Sequence, residues 1–155
     1  MMNRRKFLKT AAISGAVVAV SPALTGSFKA EAKGEGLKKR TLEEAMKDIL
    51  KGKKPVESEK VKLIAPSIAE NGAVVPIKVS VVEPIENVKA IHIFAEKNPD
   101  PWTVSAHLTP QNGKPYFATR IRLAKTMNVY AVAELSDGSA IMAKKAVKVT
   151  IGGCG

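Results

Sequence analysis

Between Val61 and Ile151 apolar residues recur at every second position, in short runs separated by turn-forming pairs. In AVVPIKVSVV, Val75, Ile77, Val79 and Val81 fall on one side, and in VKAIHIFAEK, Ile91, Ile93 and Ala95 do. Trp102, Val104, Ala106 and Leu108 repeat the pattern in WTVSAHLT, followed by Phe117, Ile121 and Leu123 in YFATRIRLA. NVYAVAEL contributes Val129, Ala131, Ala133 and Leu135, AIMAKKAVKVTI contributes Val147, Val149 and Ile151, and VKLIAP adds a short first strand. A period of two sends alternate side chains to opposite faces of a strand. Each run therefore has one face to bury and one to leave in water. Asn71-Gly72, Asn98-Pro99-Asp100-Pro101, Asn112-Gly113 and Asp137-Gly138 supply the turns between runs.

Seven strands with this spacing predict a mainly β fold, an antiparallel β-sandwich of immunoglobulin-like type over residues 61–151. With 5% aromatic residues its core must be built from Val, Ile, Leu and Ala, and a single cysteine excludes an internal disulfide. Pro76 cannot donate to a ladder, so it marks an edge or a strand start, and the sheet edge near it is a candidate partner surface.

Ahead of the sandwich the periodicity is helical. Leu42, Ala45, Met46, Ile49 and Leu50 recur on one side of a helix spanning 41–50, and Thr41 with Glu44 forms a capping box. Lys51 complements the negative end of this helix and Gly52 terminates it, after which KGKKPVESEK reads as linker. Residues 33–60 thus form an N-terminal helix and linker. Residues 1–32 read as an export signal. Arg4 and Arg5 precede Phe7-Leu8-Lys9, an apolar run reaches Val20, and Ala30-Glu31-Ala32 offers a cleavage site. The paired arginines resemble a twin-arginine leader, which implies export of the folded protein to the periplasm. No other stretch is long and apolar enough to cross a membrane. Cleavage after Ala32 removes five of 25 basic and one of 14 acidic residues, leaving 20 against 13. That positive excess suits small anions or acidic partner proteins. Nucleic acid is not expected, since no aromatic residues interleave the basic ones to stack bases.

Few residues could carry chemistry. His92 and His107 alternate with inward positions on separate strands, which makes them structural or surface histidines, and neither belongs to a readable catalytic triad. Trp102 reads as core or sandwich-edge packing, and Arg120 and Arg122 as a solvated face. No metal-ligand motif is present, and a blue-copper site fails because the one cysteine lies beyond the last strand. That residue, Cys154, sits between Gly152-Gly153 and Gly155. An exposed thiol in an oxidising compartment forms mixed disulfides and oxidises stepwise, so an incidental one would be a liability. Glycines on both sides remove the bulk that would keep a tail out of a narrow pocket. At about 3.4 Å per residue, residues 152–154 can carry the sulfur roughly 10 Å beyond the last strand. No base or cation beside the thiol is visible, so Cys154 reads as a carrier activated by its partners. Residues 152–155 are accordingly expected to act as a swinging arm on a protein without catalysis of its own.

The leader, AENGAVVPIKVSV, VKAIHIFAEKNPDP, RIRLAKTMNVYAVAELSDGSAIMAKKAVKVT and the terminal IGGCG together resemble the SoxY family, the sulfur-carrying subunits of the periplasmic thiosulfate-oxidising system. The resemblance implies covalent sulfur attachment at Cys154, no bound cofactor, and flexibility at Gly152, Gly153 and Gly155. It implies a heterodimer with SoxZ and loading with thiosulfate by the c-type cytochrome complex SoxAX. Hydrolysis of the adduct would fall to the dimanganese sulfate thiol hydrolase SoxB, and sulfane oxidation, where present, to the molybdenum sulfane dehydrogenase SoxCD. In the absence of SoxZ a Cys154-linked homodimer can form. The family commonly ends with two glycines after the cysteine, whereas here Gly155 alone follows Cys154. The reading from another class is an exported adhesion or chaperone-like binding module whose terminal thiol only crosslinks subunits.

Overall fold

The computed structural model describes residues 39–153. The leader with Arg4 and Arg5, and Cys154 with Gly155, lie outside the described residues. Helix α1 (Leu42–Ile49) leads into nine strands: β1 (Val56–Glu57), β2 (Val61–Ile64), β3 (Ile68–Asn71), β4 (Val75–Val81), β5 (Val88–Ala95), β6 (Trp102–His107), β7 (Tyr116–Ile121), β8 (Met127–Leu135) and β9 (Ala140–Ile151). All seven strands anticipated from the alternation are present, as β2 and β4–β9. The larger sheet runs β9-β8-β5-β6, with both β1 and β3 on the outer side of β9, and the smaller runs β2-β4-β7.

The two sheets enclose the core that the period-two pattern requires. Val75, Ile77 and Val79 from β4 meet Ile91 and Ile93 from β5 and Val129 and Ala131 from β8, all fully buried. A second, smaller apolar cluster lies on the other face of the large sheet. There Ala45 and Leu50 of the α1 segment cover Phe94, Val132 and Ala140. This explains why β5 and β8 are buried on both faces and why a helix too short to stand alone persists.

The capping box forms as expected: Thr41 Oγ1 accepts from Glu44 N–H at 3.2 Å, and Thr41 N–H donates to Glu44 Oε2 at 2.8 Å. Arg40, just ahead of it, grips both oxygens of Asp100 at 2.8 and 2.7 Å and ties the helix start to the β5–β6 turn. The hydrogen bonds from Asp100 hold the Arg40 guanidinium above its ordinary pKa.

Several expectations need correction. Residues 51–60 are more than a linker. Val56 and Glu57 pair in parallel with Ile141 and Met142, and Lys53 is ion-paired to Glu134. The sandwich is also not wholly antiparallel, because β3 joins β9 in parallel through Ile68–Lys148, Ala69–Val149 and Asn71–Ile151. Of the added strands, β1 is too short to show a period, and β3 buries only Ala69 of its four residues. The helix end is as expected in that Gly52, at φ 81°, terminates it with its N–H donating back to Lys47 O at 2.8 Å, and Lys51, at φ 53°, shares the positive-φ turn.

Pro76 lies on the central strand of the small sheet, so it marks a strand start and offers no sheet edge. Val81 N–H points to Pro115 on the β7 side and Val82 N–H to Lys60 on the β2 side. By alternation the Pro76 nitrogen faces β2, whose pairing stops at Ile64–Lys78, so no ladder bond is lost. Trp102 is not inward. A register shift between Ile93 and Phe94 pairs Val104 with Ile93 but Trp102 with Phe94, turning the indole onto the helix side of the sheet, where it is 38% exposed.

Candidate functional site: the root of the C-terminal arm

The last strand carries the chain to one end of the sandwich and delivers it into a slot made of backbone. On one side is the Gly72–Ala73 turn after β3, and on the other the segment Leu123–Ala124 after β7. Gly72 N–H donates to Ile151 O at 2.7 Å, Leu123 N–H donates to Gly72 O at 2.7 Å, and Gly153 N–H donates to Leu123 O at 3.0 Å. Three segments distant in sequence thereby close on one another through main-chain atoms. Gly153 is buried, whereas Ile151, one step outside the slot, is 67% exposed.

Glycine is needed here because of crowding. A Cβ at Gly72 would lie 2.3 Å from Leu123 O and 2.8 Å from Gly153 N. A Cβ at Gly152 would lie 2.3 Å from Ala124 O, and one at Gly153 would lie 2.7 Å from both N and Cα of Ala73. All are well inside van der Waals contact. Side chains fix the walls of the slot. Asn98 Nδ2 donates to Arg122 O at 2.8 Å while Asn98 Oδ1 accepts from Ala124 N–H at 3.0 Å, holding the 122–124 segment from both ends. Asn71 Oδ1 accepts from Ala73 N–H at 2.8 Å, and Thr126 Oγ1 accepts from Val149 N–H at 2.9 Å near the end of β9.

The sequence pattern expects a free arm from Gly152 onward. The structure instead lays Gly152 and Gly153 against the body, and Cys154 is the next residue. Gly72, Asn98 and Leu123–Ala124 were missed as parts of this site. The signal available was that Asn71-Gly72 and Asn98 stand in turns, and nothing local in a turn reveals a contact with the far end of the chain.

The two histidines fall elsewhere. His92 projects to the helix side of β5, opposite Ile91 and Ile93 as expected, but is only 3% exposed. Its Nδ1 is 2.6 Å from Ser105 Oγ, which also accepts from Trp102 Nε1 at 3.0 Å. The Ser105 hydroxyl thus joins the histidine ring to the indole across β5 and β6. The Nε2 atom is buried without a hydrogen bond, 3.5 Å from Glu134 Oε2. Burial pushes His92 below its ordinary pKa, against the opposing pull of Glu134. Lys53, paired to the same carboxylate, holds Glu134 below the usual range. His107 stacks edge-on at 6.3 Å. This network cross-links β5, β6, β8 and the segment after α1, a structural role. Among the described residues no group of His, Cys, Asp and Glu could hold a metal ion, and no helix is long and apolar enough to cross a membrane.

Fold and site together define a small immunoglobulin-like β-sandwich whose last strand feeds a glycine-rich terminus through a backbone slot. The family model for the sulfur oxidation protein SoxY matches residues 46–154, so the chain belongs to the SoxY family. It is similar to the solved sulfur carrier protein SoxY from Chlorobium limicola f. thiosulfatophilum. That match has 37% identity and a TM-score of 0.60, and covers 72% of this chain and 97% of that one. The superoxide reductase (neelaredoxin) from Ignicoccus hospitalis, at 20% identity and a TM-score of 0.51 over 59% of this chain and 80% of that one, shares the fold. No curated protein matches the sequence.

Proposed function

We propose that this protein carries sulfur intermediates of thiosulfate oxidation in the periplasm as covalent adducts on Cys154, and that it presents them to partner enzymes without catalysing their conversion. One observation supports this above the others: the family match runs through residue 154, and the relative at 37% identity is a sulfur carrier.

Loading joins the Cys154 thiolate to the sulfane sulfur of thiosulfate, forming an S–S bond and releasing two electrons to a c-type cytochrome complex of the SoxAX kind. Attack of water on the sulfone sulfur of the adduct, by a SoxB-type hydrolase, breaks the bond between that sulfur and its sulfane neighbour. It liberates sulfate and two protons and leaves a persulfide on Cys154. A SoxCD-type dehydrogenase, where one exists, oxidises that persulfide sulfur. A disulfide-type bond retains the intermediate between these steps, and an excess of positive charge attracts anionic cargo. The chain contributes a sulfur atom and a glycine-lined approach, and its rigid sandwich offers a docking body for a SoxZ-type partner. Residues 1–32 serve as the twin-arginine signal, and residues 152–155 form the arm.

The test is intact mass after exposure to thiosulfate and the oxidising cytochrome complex. Wild-type protein gains the mass of a thiosulfate adduct and Cys154→Ser gains none. A mass gain in Cys154→Ser would overturn the reading.

A further inference from the structure

We propose that Gly72 and the Leu123–Ala124 backbone form a clasp for the arm, giving it a docked state that pivots at Gly153 and a released state that pivots at Ile151. The inference rests on the carrier reading for its purpose, but its geometry stands on residues 72–73, 122–124 and 151–153 alone.

The docked state is what the structure shows. Gly153 N–H is bonded to Leu123 O, Gly72 N–H to Ile151 O, and no Cβ fits at positions 72, 152 or 153. Gly72 lies on the body, and a Cβ there would meet both the body, 2.3 Å from Leu123 O, and the tail, 2.8 Å from Gly153 N. The clasp is also built to open. It consists of main-chain hydrogen bonds and close glycine contacts, and the adjoining apolar side chains Ile151 and Val74 are 67% and 54% exposed. Release therefore uncovers almost no apolar surface and costs little more than the exchange of those hydrogen bonds for water.

The two states differ in reach. Docked, Cys154 is one Cα–Cα step of about 3.8 Å from its anchor; released, three extended residues span roughly 10 Å. Gly72 is thus a positioning residue: it acts on the cargo-bearing residue only through the glycines it grips.

Site-resolved amide hydrogen exchange on the full chain tests this. Gly153 N–H in wild-type protein is protected. In Gly152→Ala, whose Cβ would strike Ala124 O, it exchanges at least about tenfold faster, while the β5 and β8 amides keep their rates. Gly152 follows the last strand, so this variant cannot fail by unfolding the sandwich. Gly72→Ala opens the clasp from the other side and gives the same local loss, together with faster labelling of Cys154 by a bulky maleimide. Unchanged Gly153 protection in Gly152→Ala overturns the proposal, and so does wild-type Gly153 exchange at the rate of a free peptide. Because no sulfur cargo is involved, this result is independent of whether Cys154→Ser gains mass.

Discussion

The seam between the two sheets and the root of the arm are both closely packed, by opposite means. At the seam Ile77, Ile91, Ile93 and Val129 fill space with side chains, and stability comes from apolar burial. At the root Gly72, Gly152 and Gly153 leave no space to fill, and peptide groups meet directly. The first arrangement resists opening because every exposed methylene costs free energy. The second opens at the cost of at most two hydrogen bonds, Gly72 N–H to Ile151 O and Gly153 N–H to Leu123 O. A carrier needs both, a body that stays folded on each partner and a terminus that can let go.

The sharpest way to separate the regions is to remove bulk from the seam. Ile93→Ala is expected to lose about 2–5 kcal/mol of stability in urea unfolding, because a cavity is left between the sheets. Gly153 exchange should stay unchanged at denaturant concentrations where the variant remains folded. Asn98→Ala reverses the pattern. Losing both bonds to the 122–124 segment should cost about 1–2 kcal/mol and accelerate Gly153 exchange, with the β5 and β8 amides keeping their relative protection.

A smaller effect depends on pH. Burial holds His92 below its ordinary value of 6.5 in the folded protein, so as pH falls the unfolded chain takes up that proton first. Stability from this group is constant above about pH 6.5 and declines below it, by no more than about 1.4 kcal/mol per pH unit. Glu134, lowered from 4.5, adds a further decline in more acidic solution. Urea unfolding at about pH 7.5 and about pH 5.5 should show the first decline in wild-type protein and not in His92→Gln. Equal slopes in the two would remove His92 as the cause.

The smallest expected effect contrasts two uses of glycine. Lys51 holds φ 53° without being glycine, and Gly52 beside it has open space where a Cβ would stand rather than a slot. Lys51→Gly should therefore raise the melting temperature slightly, gaining up to about 1 kcal/mol, whereas the reverse exchange at the arm root is destructive.

The seam was legible because alternation is a local property: Val75, Ile77, Val79, Val81, Ile91 and Ile93 declare their face by spacing alone. Trp102 was misplaced because a bulge in register leaves no mark in composition. Strand β1 was missed because two residues are too few to display a period, and β3 because Ala69 alone of its four residues is buried while Ile68 faces out, which leaves no apolar alternation. At the site, Cys154 and its glycines announced themselves by chemistry, being one thiol in an apolar-poor tail. Gly72, Asn98 and Ala124 did not, since contacts across 24 to 79 positions are set by topology and leave no pattern among neighbours.

The central claim is that Cys154 exists to hold sulfur cargo. The most direct measurement is the mass of the C-terminal peptide from protein isolated under non-reducing conditions from its native cells. The account predicts sulfur-containing adducts on Cys154 that reducing agent removes; a peptide found only as a symmetric Cys154–Cys154 disulfide would contradict it and favour a subunit crosslink.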